Sequence, residues 1–270
     1  MPLKLLIIFI SVICLILLSV KLVNLESFTN KNSSKFNSVN KDILVLIFSC
    51  NKYKNRIDTL KQIGYLDYLT RTGVDYLIVT GDETLNEEYK LNLKNNKLVV
   101  KEKDTYEGLP YKVVKTFYTV NRDNKLNYKY IIKSDDDCLV NIDRILNNMD
   151  KIEGEDYIGR LNNFKHNYNP NWNGLKNKSK YYGPYMNGAT GYILSNKAVN
   201  SISNSKDLNN KLLKDELYED KLVGDVLRLN GFKFKTHDLW YSLAQDTKKI
   251  DNFDKFIIKN SKVTTFYGPQ

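Results

Sequence analysis

Three consecutive carboxylates, Asp135, Asp136 and Asp137, close a short apolar run, Tyr130-Ile131-Ile132-Lys133-Ser134. Adjacent acids repel one another, so they must be solvated or neutralised by a cation. In a strand the side chains alternate between faces, which predicts Asp135 and Asp137 on one face and Asp136 on the other. Two carboxylates so placed offer a hard divalent ion oxygen ligands and leave positions open for water or phosphate. A polar loop after a strand accounts for the triplet equally well. A second acidic pair, Glu219-Asp220, opens a helical pattern with the apolar stripe Leu222, Val223, Val226 and Leu227, ended by Gly231. An Asp at such a start is ordinarily a cap. His237 is one of two histidines, the other being His166. A lone histidine is more often structural than a metal ligand, and both readings stay open.

The triplet needs a scaffold. Residues 43–49 form an apolar run on both faces, as in a central parallel strand. A loosely periodic helix is predicted over residues 56–69, then strands over 75–80 and 98–100. Pro110 suits a first helical turn, and residues 111–120 carry Val114, Phe117 and Tyr118 on one face. The strand at 128–133 follows. This alternation predicts an α/β layer with crossover connections, whose ligands sit at the carboxyl ends of strands, where the triplet falls. Beyond it come a helix over 142–149, a strand over 157–161 and a long polar loop over 162–180 with Trp172. The stretch Tyr181-Tyr182-Gly183-Pro184-Tyr185-Met186-Asn187-Gly188-Ala189-Thr190-Gly191 leads into a strand at 192–194. Its glycines allow close backbone approach and its tyrosines offer flat faces with hydroxyls, which suits a sugar ring. A plain glycine turn is compatible with the same residues. A polar tail is expected to end near residues 263–267.

The chain of 270 residues carries a net charge of +10, and its 42% hydrophobic content suffices for a sizeable core. The lysines are scattered without a long basic run, so nucleic acid is not an expected partner. Three cysteines, Cys14, Cys50 and Cys138, do not make a disulfide framework, though a single Cys50–Cys138 bridge stays open. Residues 5–20 are an apolar run flanked by Lys4 and Lys21. With Leu22-Val23 it approaches a bilayer span, and no small-x-small cleavage site follows, which favours an uncleaved signal anchor over a cleaved peptide. The expected organisation is a tail and anchor helix over 1–23, a flexible stalk over 24–41 and a catalytic domain over 42–270. The triplets at Asn32 and Asn177 fit the glycosylation pattern.

Taken together these stretches resemble the β1,3-galactosyltransferase-like family, glycosyltransferase family 31, with its Fringe-type relatives. Asp104-Thr105-Tyr106 with Leu109 and Lys112 is similar to the family's D-x-Y-x-x-L-x-x-K segment. Lys133 through Asp137 with Asn141 resembles K-x-D-D-D-x-x-x-N. Tyr182 through Tyr185, with Gly188, Gly191 and Tyr192, resembles Y-P-P-Y-x-x-G-x-G-Y. Glu219-Asp220 with Val223-Gly224 resembles E-D-V-x-x-G. The resemblance implies a GT-A type nucleotide-diphospho-sugar transferase fold, a Rossmann-like mixed sheet flanked by helices. It implies an inverting transfer of a hexose from a UDP-sugar to a glycan or glycoprotein acceptor with Mn²⁺ or another divalent cation, by a single-pass type II membrane protein whose catalytic domain is lumenal, in a Golgi- or ER-like compartment. By the same resemblance, Asp137, Asp135 and His237 are metal ligands, and Asp135, Asp136, Lys112 and Arg56 contact the donor. Tyr185, Gly188, Gly191, Glu219 and Trp172 would contact the acceptor, and Asp220 would be the base. The chain departs from the pattern at Arg56, which lacks a second Arg beside it, and at Met186, which stands in place of a frequent Cys. Two rival readings are a metal-dependent phosphohydrolase and an inactive membrane-anchored carbohydrate-binding protein.

Overall fold

The computed structural model describes residues 42–162, 183–234 and 237–268, with the backbone of 171–172 and 175–176. Strand β1 (Ile43–Phe48) is buried along its whole length. Its alternate side chains enter two different cores, which is why its sequence is apolar on both faces. The helix expected over 56–69 is two helices, α1 (Lys54–Gln62) and α2 (Tyr65–Arg71). Gly64, at φ +83°, breaks them apart and lets Tyr65 and Tyr68 turn inward. Strand β2 (Asp75–Gly81) is followed by a hairpin of β3 (Tyr89–Asn92) and β4 (Lys97–Val100). The sequence reading misses β3 because this edge strand, Tyr-Lys-Leu-Asn, is half solvated and short of β-branched residues.

Helix α3 (Leu109–Arg122) begins with Pro110 in its first turn. It buries Val113, Thr116, Phe117 and Val120, so its inner face is rotated from the expected one; Val114 and Tyr118 stay partly exposed. Strand β5 (Tyr130–Asp135) runs two residues further than expected and turns through Asp136-Asp137 into β6 (Cys138–Val140). Then come α4 (Ile142–Leu146), α5 (Met149–Ile152), β7 (Tyr157–Gly159) and β8 (Leu161–Asn162). Two short pairs follow from β9 (Asn171–Trp172) with β10 (Leu175–Lys176), and from β8 with β11 (Tyr185–Met186). Strand β12 (Tyr192–Ser195) leads into α6 (Asn196–Asn204), α7 (Lys206–Leu213) and α8 (Glu219–Leu229). The expected polar tail is instead structured, as β13 (Ser242–Ala244), α9 (Phe253–Lys259) and β14 (Thr265–Tyr267). Phe253 and Ile257, one turn apart on α9, and Phe266 on β14 anchor it; elements this short among polar residues give only a weak periodic signal.

The main sheet has the order β3-β4-β2-β1-β5-β12-β7. Strands β4, β2, β1 and β5 are parallel, while β3, β12 and β7 each pair antiparallel with their neighbours. One core packs Ile43, Val45, Ile47, Ile132 and Ile193 against α2, α4 and α9. The other packs Leu44, Leu46, Phe48 and Ile131 against α3, α6 and α8. The alternation predicted the α/β layer, and the mixed, helix-flanked sheet is the one the family resemblance implied. Among the described residues no helix is long and apolar enough to cross a membrane. The apolar run at 5–20, the stalk and both glycosylation triplets lie outside the described residues.

Candidate active site

The site lies where β5 leaves the sheet. The strand ends at Asp135, and Asp136-Asp137 form a turn. The expected alternation therefore stops one residue into the triplet, and the carboxylates sort differently. Asp136 and Asp137 share Arg56, whose Nη1 donates to Asp136 Oδ1 at 2.8 Å and to Asp137 Oδ2 at 3.0 Å. Ser49 Oγ adds a hydrogen bond to Asp136 Oδ2 at 2.7 Å. Asp135 pairs instead with Lys133, Nζ to Oδ1 at 2.8 Å. Burial raises the Asp136 carboxyl above its ordinary value against the pull of Arg56 and Ser49. Burial, followed by repulsion from Asp135, raises Asp137 in the same direction, again against Arg56.

A pocket of about 240 Å³ opens beside the turn, lined among others by Tyr53, Arg56, Tyr106 and the three aspartates. Arg56 is 41% exposed, and its guanidinium lies over the Tyr53 ring, 4.5 Å from the centroid. Lys112 also lines the pocket but is buried, donating to the Ser49 carbonyl at 2.7 Å and to Asp104 at 3.0 Å. Asp104 further accepts the backbone N–H groups of Asn51 and Gly81. Lys112 and Asp104 thus tie the loops after β1 and β2 into the pocket wall.

The second acidic pair stands at the start of α8. Tyr218 is the N-cap and makes no side-chain cap bond, so Asp220 is not the capping residue. Its Oδ2 accepts Gly188 N–H at 2.8 Å, and its Oδ1 accepts the N–H of Lys221 at 2.8 Å. Burial, then the neighbouring charge of Glu219, pushes the Asp220 carboxyl up to about 7. Glu219 is 6% exposed, taking Lys133 Nζ at 2.5 Å and the Tyr192 hydroxyl at 2.9 Å. Tyr106, its ring partly exposed, lines the pocket and lies within electrostatic reach of both acid groups: desolvation of its hydroxyl, and then the charges of Asp220, Glu219 and Asp135, raise its pKa well above the ordinary phenol value.

The galactosyltransferase family profile matches residues 81–238. This chain belongs to the galactosyltransferase family. No curated protein matches it. Among solved structures, a glycosyltransferase involved in the glycosylation of the major capsid of PBCV-1 is similar at 12% identity and a TM-score of 0.45. That likeness covers 83% of this chain and 91% of the other. The family match runs from the end of β2 to Asp238, so it takes in Asp135–Asp137 and Glu219-Asp220 while Arg56 lies before it.

Within this glycosyltransferase, the sequence-derived residues fall into separate groups. Asp135, Asp136, Asp137, Lys112 and Arg56 meet at the pocket. Gly188 and Glu219 stand beside Asp220, and a side chain at 188 would run into the Glu219 carboxylate. Gly191, at φ +69°, lies against the Lys133 carbonyl, and Tyr185 is buried against Gly224 of α8. The side chain of Trp172 lies outside the described residues, as do Tyr182 and His166. His237 accepts the Leu239 N–H through Nδ1 at 3.1 Å. Among the described residues no three His, Cys, Asp or Glu side chains gather closely enough to hold a metal ion by themselves. Cys50 and Cys138 are both free thiols.

Lys133, Ser49, Tyr106, Asp104 and Tyr192 were not given site roles by the sequence. Lys133 carried a signal: a cation within an apolar strand needs carboxylates beside it, and here it has the partly exposed Asp135 and the buried Glu219. A divalent cation fits the acid turn only if substrate phosphate and water complete its shell. The chemistry of the donor set says so, since Asp137 is 37% exposed while Asp136 is spent on Arg56 and Ser49.

Proposed function

We propose that this glycosyltransferase is inverting and metal-dependent. It moves a hexose, such as galactose or N-acetylglucosamine, from a UDP-sugar to a sugar hydroxyl of a glycan acceptor, forming a β1,3 linkage. The observation that carries the reading is Asp220, a carboxyl raised to about 7 at the opening of α8, which shares Tyr106 with the acid-lined pocket. Such a group is ionised in useful amount near neutral pH yet remains basic enough to take a proton from an attacking hydroxyl. Attack on the face opposite the leaving group inverts the anomeric carbon.

In this reading Arg56 faces the diphosphate and Tyr53 and Tyr106 line the donor pocket. Asp137, with Asp135, would hold Mn²⁺ or another divalent cation, with His237 the third candidate ligand. When bound, the cation neutralises charge on the departing diphosphate. The apolar run at 5–20 supports a single-pass type II anchor that places the catalytic domain in a lumenal, Golgi-like compartment.

Asp220→Asn tests the reading. Transfer from a UDP-sugar in the presence of Mn²⁺ should fall by roughly 10²–10⁴-fold, the usual worth of a general base, while UDP affinity is unchanged. Near-full turnover by this variant would remove Asp220 from the role. UDP binding with no transfer or donor hydrolysis by the unaltered chain would favour a carbohydrate-binding protein instead.

A further inference from the structure

The resemblance places Glu219 among acceptor contacts, but its surroundings leave it no open face. It is 6% exposed, and both oxygens are engaged. Oε1 takes the ammonium of Lys133 at 2.5 Å and Oε2 takes the hydroxyl of Tyr192 at 2.9 Å. Lys133, fully buried, also holds Asp135 at 2.8 Å and the Gly188 carbonyl at 3.3 Å. Gly188 in turn donates its N–H to Asp220. A continuous set of polar contacts therefore runs from the acid turn through Lys133 to Glu219 and Gly188, and from Gly188 to Asp220.

We propose that Glu219 is a positioning residue that acts through Asp220 and makes no contact with the acceptor, and that Lys133 ties it to the acid turn. The inference rests on Asp220 being the base. Two consequences follow from the geometry. Glu219 and Gly188 together define where Asp220 sits, because Gly188 leaves room only for a hydrogen against the Glu219 carboxylate. The Glu219 charge also bears on the Asp220 proton. The charged or titratable groups facing Asp220 are Glu219 and Tyr218 beside it, Lys133 of β5, Tyr157 of β7, Tyr192 of β12 and Tyr106 before α3. Among the charges Glu219 raises Asp220 most, and Lys133 opposes it.

The experiment is Glu219→Gln in the full chain, with kcat and acceptor KM followed from pH 5 to 9. Gln keeps an acceptor for Lys133 and an amide N–H₂ beside the Tyr192 hydroxyl, which must then accept rather than donate, and it removes the charge. The acid limb of kcat should move down by roughly one pH unit, the size of effect a neighbouring carboxylate exerts. The plateau kcat should fall roughly tenfold, because a less basic, less well held carboxylate is a poorer base, and acceptor KM should not change. A raised acceptor KM with the acid limb in place would make Glu219 an acceptor contact and overturn the proposal. Tyr192→Phe is the second variant, should Glu219→Gln not fold. It should lower kcat a few-fold at constant acceptor KM, and an unchanged kcat would count against the proposal. The two readings fail separately: full turnover by Asp220→Asn sinks the base, whereas an inactive Asp220→Asn with an unmoved limb in Glu219→Gln sinks only the role of Glu219.

Discussion

Asp220 carries an internal record of its surroundings in its proton. The folded carboxyl titrates at about 7, and an unfolded aspartate at about 3.9. Between those values the folded state keeps a proton that the unfolded chain releases. Raising the pH through that window therefore costs stability, and the loss is complete above about 7. Asp220→Asn does not titrate, so its melting temperature relative to the unaltered protein should rise between pH 5 and pH 8. The partial exposure of Asp220 limits the change to the order of a few degrees. Melting curves of both proteins at the two pH values check this; a constant difference would mean that Asp220 is not raised. At the same scale the triplet was legible as chemistry, but its partners were not. Ser49 and Asp136 are 87 residues apart, and no local period connects them.

Elements place these residues through a few backbone positions that only glycine fills without strain. Gly64 and Gly191 both lie in the left-handed region, at φ +83° and +69°. A methyl at 64 meets nothing within 4 Å, whereas one at 191 comes to 2.8 Å from the Lys133 carbonyl and 3.6 Å from Cys138 Sγ. Gly64→Ala should lose about 1–2 kcal/mol to its left-handed backbone, and Gly191→Ala, at φ +69° and ψ 167°, should lose about 1–3 kcal/mol in a region essentially reserved for glycine. Only Gly191→Ala should also lose turnover, since relieving the clash pushes β12 away from β5 at Lys133. Urea unfolding and transfer assays on the pair separate the two effects, and full activity in Gly191→Ala would show that this strand contact does not hold the site. Strongly periodic elements, such as α8, were legible. The break at Gly64 and the polar hairpin strand β3 were not, because a glycine inside a weak pattern and a half-solvated edge leave little hydrophobic signal.

The whole molecule completes the site with its far end. Strand β14 pairs with β6 directly after the acid turn, and Gly268 N–H donates to the Asp137 carbonyl at 2.8 Å. Phe266 secures this strand in the core, 4.7 Å from Phe256 between ring centroids. Phe266→Ala should destabilise the protein by about 3–5 kcal/mol, the usual cost of emptying a buried aromatic site. Denaturant unfolding monitored by circular dichroism would measure it. A loss under about 1 kcal/mol would mean that the C-terminal strand is not part of the cooperative fold.

What the sequence by itself determined is the local part: an α/β alternation, an acid triplet at the carboxyl end of a central strand, and an acidic pair opening an amphipathic helix. Each rests on a period or a dipeptide that neighbouring residues set. The tertiary structure alone decided which charges meet. Lys133 reaches Glu219, Arg56 takes Asp136 and Asp137, and β14 backs the acid turn. These contacts join residues whose separation along the chain carries no pattern. They form because a buried charge must find an opposite one wherever the fold brings it near.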